Sequence, residues 1–339
     1  MILSTGIGSL PHHDPEEALQ FVVKNFPEIP FWPQLPKRGF RENMYAQYSE
    51  GLASVKIDES NKKIYFQIDE ENTEELEGFY ERIISDNVDS FKITEEYASG
   101  LHSFFHNFNA HHPSPHAIKG QITGPVSFGL TVTDQNRRAL FYHEQFRDVL
   151  VRGLSMKARW QVRQLKKIFP EVILFIDEPY LASYGSAFVS LQREEVVASL
   201  NEFIRVIRQE GAKSGIHCCG NTDWSLLMDT EVEIISFDAY EYFDSFVLYA
   251  ERVKEFLSRG GVVSWGLIPA SEKVNGESRE TIKERFKRNI QALGDRGIQK
   301  EKLMEQSLLT PSCGTGTLPV QLAEKVLTLT RDVSMNLAQ

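Results

Sequence analysis

Short apolar runs rich in β-branched residues alternate along the chain with longer stretches whose apolar positions recur every three or four residues. The short runs fall at residues 2–7, 30–36, 117–122, 172–176, 213–218, 233–237, 261–265 and 307–310. Helical periodicity covers 15–26, 137–169, 193–210, 246–258, 278–293 and 319–330. Run 30–36 is the weakest strand, because Pro30, Pro33 and Pro36 cannot donate to a ladder. Repeated strand-then-helix order implies parallel strands joined by right-handed crossovers. Eight such units fit a closed (β/α)8 TIM barrel, with an open doubly wound sheet as the alternative.

The pattern breaks between residues 51 and 109. Runs 53–57 and 62–68 flank Asp58-Glu59-Ser60-Asn61, a hairpin-like turn signal, and the acidic stretch 69–77 reads as the start of a solvated helix. The expectation is one barrel domain over 1–339, with 51–109 inserted after the second strand as a cover for the barrel mouth.

Composition narrows the function classes. The 339 residues hold 37 Lys+Arg against 47 Asp+Glu, a net charge of −10, with no long basic run for phosphate neutralisation, so no nucleic-acid partner is expected. A hydrophobic fraction of 41% excludes general disorder. No window approaches the roughly 18 apolar residues of a membrane span, and the first residues lack the basic start of a signal peptide. Three cysteines form no disulfide framework and fit a reducing, cytoplasmic compartment.

A barrel's chemistry sits where its strands end. Those ends carry Ile7-Gly8-Ser9, Thr123-Gly124-Pro125, Asp177-Glu178-Pro179, His217-Cys218-Cys219-Gly220, Asp238 with Glu241 beyond it, and Ser312-Cys313-Gly314. Because strand residues alternate faces, His217 and Cys219 share one face while Cys218 turns from it. Cys313 reaches the same mouth from the last strand. One imidazole and two thiols form a soft ligand set that selects Zn²⁺, with a fourth position open for chemistry. The plain alternative is two small buried cysteines beside a hydrogen-bonded core histidine. Two thiolates cancel the metal's charge, so alkylation of a substrate thiol is expected ahead of hydrolysis.

The ordered set Ile7-Gly8-Ser9, Gly124-Pro125-Val126, Asp177-Glu178-Pro179, His217-x-Cys219 and Cys313-Gly314 resembles the C-terminal catalytic barrel of cobalamin-independent methionine synthase. The His-Cys-Cys-Gly-Asn-Thr form is also similar to zinc methyltransferases that act on coenzyme M, and uroporphyrinogen decarboxylase shares the superfamily. The resemblance implies a catalytic zinc held by His217, Cys219 and Cys313, with Asp238 in the place of the family's glutamate ligand. It further implies that Asp177 and the backbone of Ile7 to Ser9 bind homocysteine. The chain is expected to be one barrel without the family's duplicated N-terminal one, Arg38 stands where an amine-binding glutamate would align, and the strand-7 histidine is missing from 264–269. The expected partners are therefore a small thiol and a methyl donor, a methylated corrinoid or corrinoid protein ahead of methylfolate. A decarboxylase, for which Lys37, Arg38 and Arg41 would hold carboxylates, is the competing enzyme class. A scaffold with a structural zinc is the competing non-enzyme.

Of the remaining motifs, His12 and His13 follow the first strand at the mouth, whereas His111, His112 and His116 precede the third strand at the opposite end. Gly314-Thr315-Gly316-Thr317 reads as a turn before it reads as a phosphate cradle. Trp32, Trp224 and Trp265 are expected to pack under loops or to line a large planar pocket.

Overall fold

The computed structural model describes residues 2–68, 73–111, 115–187 and 189–337. His112 and the first part of the acidic stretch, 69–72, lie outside the described residues. The strands, in chain order, are β1 (Leu3–Ser4), β2 (Val55–Asp58), β3 (Lys63–Phe66), β4 (Ile118–Thr123), β5 (Thr133–Asp134), β6 (Val172–Asp177), β7 (Lys213–Cys218), β8 (Ile234–Phe237), β9 (Val262–Ile268) and β10 (Ser307–Pro311). Seven of them form one all-parallel sheet in the order β1-β10-β9-β8-β7-β6-β4. Residues 29–35 close the ring between β1 and β4. Phe31 bridges Lys119 and Gln34 bridges Ser9. Backbone hydrogen bonds run from Lys119 to Pro30 (2.8 Å), Gln34 to Gly8 (3.0 Å) and Leu10 to Gln34 (2.8 Å). The prolines interrupt donation, so this eighth stave is two isolated bridges instead of a continuous strand. The expected (β/α)8 architecture is what forms.

Inside the ring, Leu3, Ile29, Ala117, Ile173, Phe175, Ile234, Val262 and Leu308 pack as a plug. Alternation then fixes which residues above the plug face inward: Asp177 follows Ile173 and Phe175, and Ser236 and Asp238 follow Ile234. Gly215 carries no side chain because a Cβ there would lie 2.5 Å from the Phe175 ring. The outward faces, among them Leu174, Ile176, Ile216, Cys218, Ile235 and Phe237, join the main core beneath the helices.

Several sequence expectations change in detail. The helix expected over 137–169 starts at Glu144 and ends at Lys166. Asp134 accepts from the Asn136 and Arg138 backbone (both 2.8 Å), and this turn holds the chain out of helix until a short 3-10 turn at Leu140–Tyr142. The helix expected over 246–258 is regular only from Ala250 to Ser258. The hairpin forms as β2 against β3, with Asp58 holding Ser60 and Asn61 in the turn. Segment 51–109, expected to cover the mouth, supplies most of a barrel helix: Ser99–His111 packs on Pro15–Asn25, and its Phe105 meets Trp160 of Glu144–Lys166 edge-on at 6.0 Å.

Gly100 lets that helix approach the proline-broken stave, since a Cβ at this position would fall 1.8 Å from the Pro33 carbonyl oxygen. Gly100→Ala must displace backbone and should cost about 3 kcal/mol in urea unfolding. Gly78, in Thr73–Ile84 with open space around its Cβ position, should gain about 0.5–1 kcal/mol on substitution by Ala. Similar responses at the two positions would contradict this packing of stave and helix.

Candidate metal centre

Parallel register sets Asp177 beside His217, and His217 beside Ser236, at the mouth end of β6, β7 and β8. The chain leaves β7 through Cys219, and Cys313 arrives just beyond β10. The His217 nitrogen and the Cys219 and Cys313 sulfurs all lie within 4.8 Å of one another. His217 is buried, and its Nδ1 meets the Ser236 hydroxyl at 3.0 Å. Its Nε2 is buried with no hydrogen-bond partner. An unpartnered buried nitrogen facing two sulfurs fits a metal ligand, with Ser236 fixing the ring from behind. The cluster could hold a metal ion such as zinc.

A hydrogen bond from Cys313, reinforced by His217, pulls the Cys219 thiol down to about 4 against the effect of burial. The same bond to Cys219, together with burial, pushes the Cys313 thiol well above its ordinary range. Cys218 faces the outer core as expected: its sulfur donates to the Gly220 carbonyl at 3.5 Å, and burial pushes it up to about 12.

The cluster opens into a cavity of about 280 Å³ whose lining includes Ile7, Ser9, Gln34, Asn43, Met44, Asp177, Gly314 and Thr317. Asp177 is the charged side chain on its floor. Its Oδ1 is buried without a partner, and burial pushes the carboxyl up to about 6 while His217 and Lys119 pull it down. The neighbouring Glu178 turns away and caps the short helix Pro125–Thr131, accepting from Val126 N (3.0 Å), Ser127 N (2.7 Å) and Ser127 Oγ (2.6 Å). A Cβ on Gly124 would lie 2.0 Å from Glu178 Oε1, so the Gly-Pro and Asp-Glu-Pro motifs interlock.

The structure does not bring Asp238 into the three-residue cluster. It is buried nearby, and its Oδ1 accepts from the backbone of Tyr240 (3.0 Å) and Glu241 (2.9 Å). Glu241 pairs with Lys273 at 2.6 Å. Ile7 and Ser9 line the cavity as expected, but Ser9 is also clamped by the last loop. Thr315 donates to its carbonyl through N and Oγ1 (both 3.0 Å), and Gly316 N donates to its hydroxyl (3.2 Å). The Gly314-Thr315-Gly316-Thr317 segment is therefore a turn built around Ser9.

Residues 34–44 contribute to the cavity and 51–109 contribute none of its described lining. His12 is buried 3.6 Å from Glu324 and is not part of that lining, while Trp32, Trp224 and Trp265 are fully buried core residues. His111 pairs with Glu16 at 2.5 Å on the barrel's outer side. Lys37 reaches the Leu318 carbonyl (2.5 Å), Arg38 pairs with Glu42 (2.8 Å), and Arg41 bonds Glu59 (2.7 Å) and Glu96, so none of these cations faces the cavity.

Sequence reasoning missed Lys119. It stands in the fully buried run Ile118-Lys119-Gly120-Gln121-Ile122, a position where a lysine is rare unless held by specific groups. Its ammonium donates to the Ile7 carbonyl (2.7 Å), and burial pulls it down to about 7.

No protein-family model matches the chain. It is 26% identical over 211 residues to the methionine synthase of Methanocaldococcus jannaschii, a match covering 61% of this chain and 60% of that protein. Among solved structures, wild-type ZgEngAGH5_4 aligns over 97% of this chain and 96% of that one, with 12% identity and a TM-score of 0.44. A GH5-4 broad-specificity endoglucanase from Bacteroides salanitronis aligns over 99% and 93%, with 11% identity and a TM-score of 0.40. Among the described residues no helix is long and apolar enough to cross a membrane.

Metal analysis of purified protein should find about one bound ion per chain, reduced at least tenfold in Cys219→Ser and in Cys313→Ser. Cys218→Ser should retain the wild-type amount, because its sulfur faces the outer core. Equal metal in all four proteins would remove the cluster from consideration as a metal site.

Proposed function

We propose that this distant relative of methionine synthase is a zinc-dependent methyltransferase that methylates the sulfur of a small, homocysteine-like aminothiol. One observation carries the proposal: the His/Cys/Cys cluster and the unpartnered Asp177 carboxylate face the same small cavity. Zinc on His217, Cys219 and Cys313 would supply the acidity that lets a thiol with an ordinary pKa near 8.5 react as a thiolate at neutral pH. Asp238, buried nearby but outside the three-residue cluster and with Oδ1 already holding two backbone amides, would have to move to join that set, which leaves the fourth position to the substrate thiol.

The chain's own residues then orient the acceptor. Asp177 Oδ1 accepts the substrate ammonium in a charge-assisted hydrogen bond, and the Ile7 to Ser9 backbone holds the acid end of the molecule. The Ser9 clamp keeps that backbone in register with Cys313. Orientation aims the sulfur at the mouth, where a methylated corrinoid, or alternatively a methylfolate, would present its methyl group. No arginine or lysine stands among the described lining residues, which disfavours both a sulfonate acceptor of the coenzyme M kind and a decarboxylase that grips carboxylates.

Zinc-loaded protein supplied with methylcobalamin and a panel of thiols should convert homocysteine to its thioether faster than coenzyme M. Turnover of no thiol with either methylcobalamin or methylfolate would overturn the proposal. Asp177→Asn should raise KM for homocysteine about ten- to a hundredfold, from the loss of one charge-assisted hydrogen bond of roughly 1.5–3 kcal/mol, with metal content unchanged. An amino-free thiol that binds the wild type as tightly as homocysteine does would contradict the role given to Asp177.

A further inference from the structure

Lys119 is the one cationic side chain on a described barrel strand that is completely buried. No carboxylate among the described residues lies within ion-pairing distance of it. The groups around it are those that solvate a cation: the Ile7 carbonyl at 2.7 Å, the Gln121 amide oxygen at 3.5 Å, and the faces of Phe175 and Phe31 at 4.5 and 5.6 Å from the ring centroids. An isolated buried ammonium is costly, and a hydrocarbon side chain would fill the space between two rings at less expense. The fold keeps the charge directly beneath the cavity, since its hydrogen-bond acceptor Ile7 lines the floor and Asp177 feels its field.

The floor itself accumulates negative charge. Asp177 supplies it from the chain, the metal would balance Cys219 and Cys313, and the acceptor adds one more when its thiol becomes the nucleophilic thiolate. We infer that Lys119 is a positioning residue whose ammonium, set under the floor, stabilises the acceptor in its thiolate form over its thiol and over the methylated product. The inference rests on the cavity being a thiol acceptor site. It goes beyond that reading by giving the buried lysine a role in telling substrate from product: the thiolate gains from the charge, and the neutral thioether does not.

Lys119→Gln removes the charge and keeps an amide donor for the Ile7 carbonyl. Lys119→Met, unbranched and apolar between the two rings, carries the same test if the glutamine variant fails to fold. Calorimetry at neutral pH on metal-loaded protein would compare homocysteine with methionine, its S-methyl product. The thiol should bind roughly tenfold more weakly to the variant than to wild type, while the thioether stays within about twofold. Weakening of both ligands together would reduce Lys119 to a structural part, and weakening of neither would remove its charge from recognition. A wild type that binds neither ligand would overturn the acceptor-site reading itself, and this inference with it.

Discussion

Gly215 and His217 of β7, and Cys219 just past its end, fall on the barrel's inner face because a strand alternates faces, and the rest of the site follows from that parity. The Phe175 ring fills the space beside Gly215 and completes the apolar plug below. One step higher, the register of β6, β7 and β8 places Asp177, His217 and Ser236 side by side. A one-residue slip would exchange Cys218 for the pair that now meets Cys313. The closed ring then carries Cys313 from β10 to sulfur that departs from β7. Loops alone could not hold those three ligand atoms together without the staves beneath them.

Burial and charge oppose one another throughout this mouth. Burial pushes Asp177 and Glu178 up to about 6 and about 7, and each is managed differently. Three donors at a helix start satisfy Glu178, which makes it a structural strut. Asp177 keeps an oxygen unpartnered, at the edge of a cavity, where an incoming cation would complete it. Lys119 below and His217 beside it pull its carboxyl back down, so the group is poised between two demands. Asp177 Oδ1 and His217 Nε2 are both buried without a partner and both belong to residues lining the same cavity, which is where an incoming ligand would satisfy them.

Much of this was legible before any coordinates. Seven apolar runs became strands close to their expected positions, because fully buried parallel strands write themselves as β-branched runs. The His217–Cys219 pair followed from period-two alternation alone. The eighth run was visible only as a proline-rich weak point, and closure there depends on tertiary partners at Ser9 and Lys119 that no local pattern contains. The cavity takes lining from 34–44 and none that is described from 51–109, a segment whose aromatics Phe79 and Phe105 pack against the outer helices. Lys119 and the Ser9 clamp stayed hidden for the same reason: both join residues far apart in the chain, 112 positions for Lys119 and Ile7, and 306 for Thr315 and Ser9.

On the proposed mechanism, the imidazole and two sulfurs at the mouth form a centre to which a substrate thiol adds its own sulfur. X-ray absorption at the zinc edge, recorded on zinc-loaded protein without and then with homocysteine, reads this directly. The zinc should show two sulfur neighbours and a histidine nitrogen, and gain one further sulfur when the thiol is present. A shell that stays unchanged at saturating thiol would contradict this mechanism and make the metal a structural fastening between β7 and β10.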